Sequence, residues 1–468
     1  MKAVTRITFC DDNDEKFFGE GPCRLLHAIE ETGSLRSAAI SMGLAYTKAL
    51  RIIKNAEAAL GFPLTTRCVG GKSGGGSTLT PQGQNMKPIG TPAFMPTASC
   101  IWKSFQTSGK KHLILTGDRG SGKTTLLSAL FPYPMPGLTS WAVPKQGVYL
   151  KDNFSSKTVQ IGRFNPDSTG AENRMLPVLD AFSQTGVSFL RACADVSSDW
   201  ITIDEIGYLE STCPEYQNAL SELMACKHLL MVVRKQKLPF LDSLLAQQDV
   251  FVLDLDQPYG NAGCILMASG QGRRFGENKL LTDLAGKPLI QWALDASAGL
   301  FAHRLVVTVH KEIEQLCLSQ DIPVLLHPFP DRNDMIRLGM GEISSFIDRC
   351  AFLPSDQPMI LPETIASLLL CAKNLPDFIW RPCSSDTVGS PVIFPSCFFE
   401  ELKKLPPKKG GNVIVSRYPN LVRTLPVSYS EELKDIDTKE ELLAVSQYLE
   451  QQSSNRRWRF DDCGAFAP

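Results

Sequence analysis

The string Gly117-Asp-Arg-Gly-Ser-Gly-Lys-Thr124 constrains this chain more than any other. It has the spacing GxxxxGK[ST], follows the apolar run His112–Thr116 and precedes a helical pattern at 126–130. Strand, glycine loop and helix in that order make a phosphate cradle. Gly117, Gly120 and Gly122 let backbone N–H groups close around a polyanion at the positive end of the helix. In that frame Lys123 reaches the β and γ phosphates of ATP or GTP, Thr124 holds Mg²⁺, and Thr125 joins the nucleotide-binding set. About 80 residues on, 200–203 reads as a buried strand ending in Asp204-Glu205. Asp204 suits a carboxylate that holds the metal through water, and Glu205 is placed to activate the attacking water. A helix cap is the plainer use of such a pair; the upstream loop favours the catalytic one.

At 468 residues the chain is long enough for about three domains. Residues 84–110 carry Pro88, Pro92 and Pro96 among small polar residues, and a second break falls at 256–261. The predicted division is 1–86, a linker at 87–109, then 110–257, 261–450 and a loose tail at 451–468. Hydrophobic residues at 43% and charged residues at 21% exclude a wholly disordered or membrane-embedded chain. The net charge of −1 points to no partner, so only local balance is informative. The 14 cysteines form no CxxC and no Cys/His cluster, which argues for reduced, buried thiols rather than a zinc finger. The acidic N-terminus is no signal peptide, and no apolar run approaches the roughly 18 residues of a membrane span. A cytoplasmic protein with no membrane partner is expected.

In the first segment Leu25, Leu26 and Ile29, then Ala38, Ala39 and Met42, follow helical spacing. Ser34 suits an N-cap and Gly43 a stop. Residues 45–60 put Ala49, Ile52, Ile53, Ala56 and Leu60 on one side. This is the helix-turn-helix order, and 65–67 with 78–80 read as two strands around a glycine-rich wing. From 34 to 87 there are seven cations and one anion, a net +6. Lys48, Arg51 and Lys54 share a helix face and would neutralise duplex DNA phosphates, with Tyr46 and Lys48 near base edges. A solvated cationic face, or a module that makes a homodimer, would also suit these residues.

In the third segment 263–268 is an apolar strand, followed by the glycine-rich loop Ser269-Gly270-Gln-Gly272-Arg-Arg274-Phe-Gly276. Gly286-Lys-Pro-Leu-Ile290 leads into an amphipathic helix, and 305–309 is another strand. Strands alternating with helices imply a mostly parallel sheet covered on both faces.

Three resemblances sharpen these readings. The run from Gly21 to Gly83, with ETGSLRSAA and GGKSGGGSTLTPQG, resembles the winged-helix domain of ModE-type molybdate-dependent regulators. The run ITIDEIGYLES resembles the DEIGxME motif of a small P-loop nucleoside-triphosphatase family, with Leu209 for Met and Glu210 as the final Glu. That family hydrolyses several nucleoside triphosphates with little base selectivity. The string MASGQGRRFGENKLL, then GKPLI, SDQP at 355–358, GSPVIFP and DIDTKEEL, resembles MobA-like nucleotidyltransferases, above all the molybdenum cofactor cytidylyltransferases. The resemblance implies that Ser269, Gly270, Gly272 and Gly276 wrap the nucleotide. It also implies that Arg274 and Lys279 neutralise its triphosphate, and that Asp356 and Asp437 hold Mg²⁺. Two stretches depart from the family pattern, with Met335 in place of Ser and 409–413 without an expected Asp, and both bear on base or acceptor choice.

The fold expected is therefore a winged helix-turn-helix followed by two α/β domains, a P-loop NTPase and a Rossmann-like nucleotidyltransferase. The function implied is transfer of CMP from CTP to molybdopterin with release of pyrophosphate, beside NTP hydrolysis and DNA binding. A molybdenum-related transcription regulator that uses the nucleotide domains as sensors is the rival.

Overall fold

The computed structural model describes residues 8–10, 16–19, 22, 25–26, 28–29, 32–42, 44–68, 76–80, 94–131, 135–167, 175–270, 275, 278–329, 331–385 and 387–461. It divides into a unit at 1–95 and a larger unit at 96–468.

The first unit is built on two helices, Leu35–Ser41 and Tyr46–Leu60. Ser34 caps the first by accepting the Ser37 N–H at 3.2 Å, and Gly61, at φ 75°, ends the second in the left-handed conformation a non-glycine residue avoids. Leu25, Leu26, Ile29, Ala38, Ala49, Ile53 and Ala56 make the core, with Ile52 and Leu60 at its margin. The wing is an antiparallel pair, Thr65–Cys68 with Gly76–Leu79. Thr8–Cys10 and Lys16–Gly19 form a second antiparallel pair, which periodicity did not announce.

The larger unit holds two sheets. The first has eight strands in the order Val250–Asp254, His112–Thr116, His228–Val233, Trp200–Ile206, Gly137–Val143, Gly147–Asp152, Thr158–Phe164, Met175–Pro177. The first five are parallel and the rest an antiparallel meander. Gly137 joins the two parts: at φ 145° it lies so close to Thr202 that a Cβ would sit 1.9 Å from the Thr202 carbonyl oxygen. The second sheet runs Val324–Leu326, His303–Thr308, Ala262–Met267, Arg349–Pro354, Val392–Pro395, Ile379–Cys383, Val422–Pro426. Its first four strands are parallel, which fits the alternating pattern of the sequence.

Two boundaries differ from expectation. The stretch read as a linker at 87–109 contains the helix Ala98–Ser108, whose Cys100, Ile101, Ser104 and Phe105 are buried. Prolines end at Pro96, Thr97 caps the helix, and one side is apolar, so burial wins over the loop-like composition before it. This helix packs on Pro362–Asn374 of the second sheet's layer, where the Ser104 hydroxyl donates to the Ser367 carbonyl at 3.1 Å. Asn374 then bonds both backbone groups of Val252 on the edge strand of the first sheet, at 2.7 and 3.2 Å. The two α/β segments are thus one body. The other difference is the tail: helix Lys439–Asp461 runs through much of the stretch expected to be loose.

No described helix is long and apolar enough to cross a membrane. The described cysteines are free thiols, most of them buried, as expected.

Candidate functional site

Two candidate sites lie at the carboxyl ends of the parallel strands, one per sheet, where open α/β sheets place ligands. At the first, the buried strand His112–Thr116 enters the loop and helix Lys123–Leu130 leaves it. Gly117, Gly120 and Gly122 have φ of 143°, 82° and 93°, the backbone region that lets the loop turn its N–H groups inward. Lys123 lies across the loop and donates to the carbonyls of Gly117 at 2.6 Å and Asp118 at 2.7 Å. Thr125 follows on the exposed side of the helix. Asp204 shares a hydrogen bond with the Thr124 side chain, so the two groups assigned to Mg²⁺ meet. Burial raises the pKa of Asp204, Glu205 adds to the rise, and Thr124 and Lys123 oppose it. Glu205 accepts from Arg234 Nε at 2.6 Å, a partner that no motif flagged.

At the second site the chain leaving Ala262–Met267 reaches Ser269 and Gly270. Ser269 lines the cleft, and its buried side chain bonds to the Val307 carbonyl at 3.3 Å and His327 Nε2 at 3.1 Å. These bonds fix the base of the loop. Gly272, Arg274 and Gly276 lie outside the described residues. Lys279 sits on a short 3₁₀ turn that Asn278 caps. Its ammonium group is almost fully buried and donates to Asp356 Oδ2, Asp437 Oδ1 and the Ile436 carbonyl, each at 2.8 Å. Burial lowers its pKa, but the two carboxylates outweigh burial and raise it, so it is held charged. The Ile436 N–H donates to the Asp356 carbonyl at 3.0 Å and pins the 435–437 segment beside 355–357. Asp435 accepts from Gln357 at 2.7 Å, and burial, then Asp356, raise its pKa.

A cleft of about 280 Å³ opens over Lys279, lined also by Gly270, Arg332, Met335 and Asp356. Arg332 also lines a second cleft of about 490 Å³ with Lys408, Lys409, Asn412 and Ser416. Gly410 makes room for Arg332, since a Cβ there would lie 2.7 Å from its Cδ. Sequence reasoning missed Arg332 and Lys408, which belong to no glycine loop, whereas Lys409 begins the 409–413 stretch already connected with base or acceptor choice.

Among the described residues, four buried side-chain atoms have no hydrogen-bond partner: Thr116 Oγ1, Asn278 Nδ2, Ser355 Oγ and Gln357 Oε1. The first adjoins the phosphate loop, and the others adjoin Lys279 or Asp356 in sequence. Buried polar groups in folded proteins are nearly always paired, and these exceptions gather beside the two sites. Mg²⁺ fits the donor chemistry at each site, Thr124 with Asp204 and Asp356 with Asp437. No described group of three carboxylates, thiols or imidazoles converges as a metal cage. A hard ion would complete its shell from phosphate oxygens and water.

In the first unit Tyr46, Lys48, Arg51 and Lys54 are all exposed on helix Tyr46–Leu60. Glu57, the one anion of the basic stretch, is turned to structural use: its Oε1 accepts from the Leu64 and Thr65 N–H groups at 2.8 and 3.0 Å. The helix thus anchors the wing with its carboxylate and presents its cations to solvent.

Three family models match the chain in series. Residues 264–422 match the MobA-like NTP transferase domain, residues 112–261 an NTPase family, and residues 23–84 the bacterial regulatory helix-turn-helix of the lysR family. Among curated proteins, "Molybdenum-pterin-binding protein MopB" of Rhodobacter capsulatus is 42% identical over 62 residues, 13% of this chain and 23% of that protein. "Probable molybdenum cofactor guanylyltransferase" of Aquifex aeolicus (strain VF5) is 28% identical over 106 residues, 23% of this chain and 51% of that protein. The chain thus spans about a quarter and about half of the curated relatives it matches. Two solved structures are similar to part of the chain. Rv0371c from Mycobacterium tuberculosis H37Rv has 19% identity and a TM-score of 0.37, covering 40% of this chain and 98% of that one. Molybdopterin-guanine dinucleotide biosynthesis protein A from Archaeoglobus fulgidus has 18% identity and a TM-score of 0.33, covering 40% and 99%.

Proposed function

We propose that the C-terminal half transfers a nucleotidyl group from a nucleoside triphosphate to the terminal phosphate of molybdopterin, with CMP from CTP as the expected donor chemistry. The observation that carries this is Lys279, a buried ammonium bridging Asp356 and Asp437 on the floor of a cleft. A phosphate oxygen of the acceptor attacks the α-phosphorus, the bond to the β-phosphate oxygen breaks, and pyrophosphate leaves. The nucleophile is already anionic, so the catalytic need is to bring two polyanions together. Lys279 and Arg332 neutralise the triphosphate side, and Arg332, Lys408 and Lys409 offer the adjoining cleft to an anionic acceptor. Bound Mg²⁺ would add charge neutralisation at Asp356 and Asp437.

The phosphate-loop half is proposed to hydrolyse ATP or GTP, and the first unit to bind duplex DNA from its exposed cations. The whole is proposed to act in the cytoplasm. A molybdenum-linked regulator remains the second reading, because Glu57 is consumed internally and leaves that helix face cationic.

The test is full-length protein with molybdopterin, Mg²⁺ and each nucleoside triphosphate in turn, following pyrophosphate. CTP-dependent release that Asp356→Asn removes is the expected result. Preference for GTP would move the domain to guanylyl transfer, the activity named for the Aquifex aeolicus relative. Release unaffected by Asp356→Asn would defeat the site assignment.

A further inference from the structure

The strand order of the first sheet sets a residue beside the phosphate loop that no motif names. His228–Val233 lies between the loop strand His112–Thr116 and the strand Trp200–Ile206. The chain leaving it therefore emerges between the loop and Glu205, where the outermost phosphate of a bound triphosphate would lie. It carries two cations in succession, and they diverge. Lys235 pairs with Asp254 at 3.0 Å and Asp256 at 2.9 Å, and Asp256 in turn accepts the Asp118 N–H of the loop at 2.8 Å. Arg234 turns the other way, onto Glu205.

The position of Arg234 is built rather than incidental. Its N–H donates to the Ile206 carbonyl at 2.8 Å. A Cβ on Gly207 would lie 2.8 Å from Arg234 Cδ, so a side chain there would displace the arginine stem. The Gly207 N–H is itself fixed on the buried Glu210 carboxylate at 2.7 Å. Glu205 is held at φ 78°, a conformation that non-glycine residues seldom adopt and that marks functional turns. Arg234 also lies close enough to Lys123 for its charge to disfavour the protonated lysine.

We propose that Arg234 is a catalytic residue of the phosphate-loop site: it leaves Glu205 for the γ-phosphate of a bound triphosphate and frees Glu205 to take a proton from water. The proposal rests on the NTP-hydrolysis reading above. A planar guanidinium presents paired N–H donors that match two phosphate oxygens, and Lys123 offers only a point charge to the same group. In the step, the water oxygen bonds to the γ-phosphorus, the bond from that phosphorus to the β,γ-bridging oxygen breaks, Glu205 accepts the water proton, and diphosphate and inorganic phosphate leave. While Arg234 holds Glu205, the guanidinium occupies its Oε1.

The experiment uses the full chain, with phosphate release from ATP and GTP and the dissociation constants of ATP against ADP. Wild type should bind ATP more tightly than ADP. Arg234→Ala should lower kcat about 100-fold, the loss typical of one removed donor to developing charge, and bring ATP and ADP affinities close together. Arg234→Lys, which keeps the charge and loses the fork, should fall between. Glu205→Gln should slow hydrolysis and keep the ATP preference, because Arg234 is intact. Circular dichroism on each variant checks folding, and Arg234→Gln serves if the alanine variant does not fold. An arginine variant that hydrolyses as fast as wild type or faster, or that keeps the ATP preference, overturns the proposal, as does a wild type that binds ATP and ADP equally. Failure of the parent reading looks different: Lys123→Ala would then retain hydrolysis, or wild type would bind neither ATP nor GTP.

Discussion

Replacing Lys279 with Met keeps the unbranched stem and removes the ammonium, so its cost reads chiefly the electrostatics of the cleft floor. Three acceptors lose their donor at once. The partners differ in exposure: Asp356 is 25% exposed and Asp437 is 54% exposed. A half-exposed pair is worth at most about 1 kcal/mol after screening, and the Asp437 contribution is taken as about 0.5. The Asp356 bond, charge-assisted and closer to buried, is worth about 2 kcal/mol, and the orphaned Ile436 carbonyl about 1. The sum is about 3.5 kcal/mol, and the better burial of a thioether returns about 0.5, leaving about 3 kcal/mol. That is more than a hundredfold in the folded-to-unfolded ratio.

Urea unfolding followed by tryptophan fluorescence measures this, with Trp292 and Trp380 reporting the half that contains Lys279. The pKa of Lys279 is raised, so its contribution is complete below the ordinary lysine value of 10.5 and is lost only as pH rises through the higher folded value. A measurement at neutral pH therefore reads all of it. The variant also leaves Asp356, Asp435 and Asp437 with less compensation, so Mg²⁺ should stabilise it more than wild type; at a hundred times the variant's own dissociation constant its total gain is about 2.7 kcal/mol. Pyrophosphate release should fall with the loss of triphosphate neutralisation. A cost under about 0.5 kcal/mol in EDTA would place the bridge in the class of screened surface pairs and refute the reasoning.

Other predictions follow from separate features. The full chain should bind duplex DNA with an affinity that falls with salt, and changing Lys48, Arg51 and Lys54 to Gln should reduce the log–log salt slope by about 0.9 for each phosphate no longer neutralised. Filter binding across a salt series decides it, and an unchanged slope removes the helix from the interface. Lys123→Ala should lose nucleotide binding and hydrolysis at the phosphate loop, and Glu205→Gln should keep binding and slow hydrolysis, as an amide accepts no proton. Neither should abolish nucleotidyl transfer, which is proposed for the separate cleft over Lys279; abolished transfer in a folded Lys123→Ala protein would show obligatory coupling. Burial raises Glu210 to about 6 from 4.5, so the native state holds its proton longer than the unfolded chain. Stability should then fall as pH rises from 4.5 to 6 and stay lower above 6, by about 2 kcal/mol. Glu210→Gln should remove that loss, read as the wild-type minus variant difference in urea midpoint below and above the window.

Short-range physics made much of this legible. The phosphate loop is a local device: its glycines, lysine and threonine act within eight residues, and the strand and helix around it are continuous in sequence. Helix Tyr46–Leu60 was legible for a similar reason, since Ala49, Ile53 and Ala56 recur at helical spacing and all are buried. Asp356 and Asp437 were found only by family resemblance, because 81 residues separate them and a single lysine from a third segment joins them. Arg234 and Arg332 had no local signal at all. Each acts because of which strand or loop the topology lays beside it, and a lone arginine after a strand looks like any solvated end.

The misread linker shows how composition misleads at a junction. Three prolines and a scatter of small polar residues precede position 97, and the eye extends that character forward. Yet helix Ala98–Ser108 buries Ile101 and Phe105, and Phe105 meets Trp200 and Phe251 edge-on at ring-centroid distances of 5.7 and 5.9 Å. Such aromatic contacts each add about 0.5–1.5 kcal/mol beyond burial. The same helix touches Pro362–Asn374, whose Asn374 side chain takes the place of a neighbouring strand for Val252. An asparagine that satisfies both backbone groups of an edge residue spares that edge from exposing them. Helix Ala98–Ser108 therefore belongs to both sheets: it caps the aromatic end of the first and is hydrogen-bonded to the layer of the second. The contact between the two α/β segments begins immediately after Pro96, where the proline-rich composition ends.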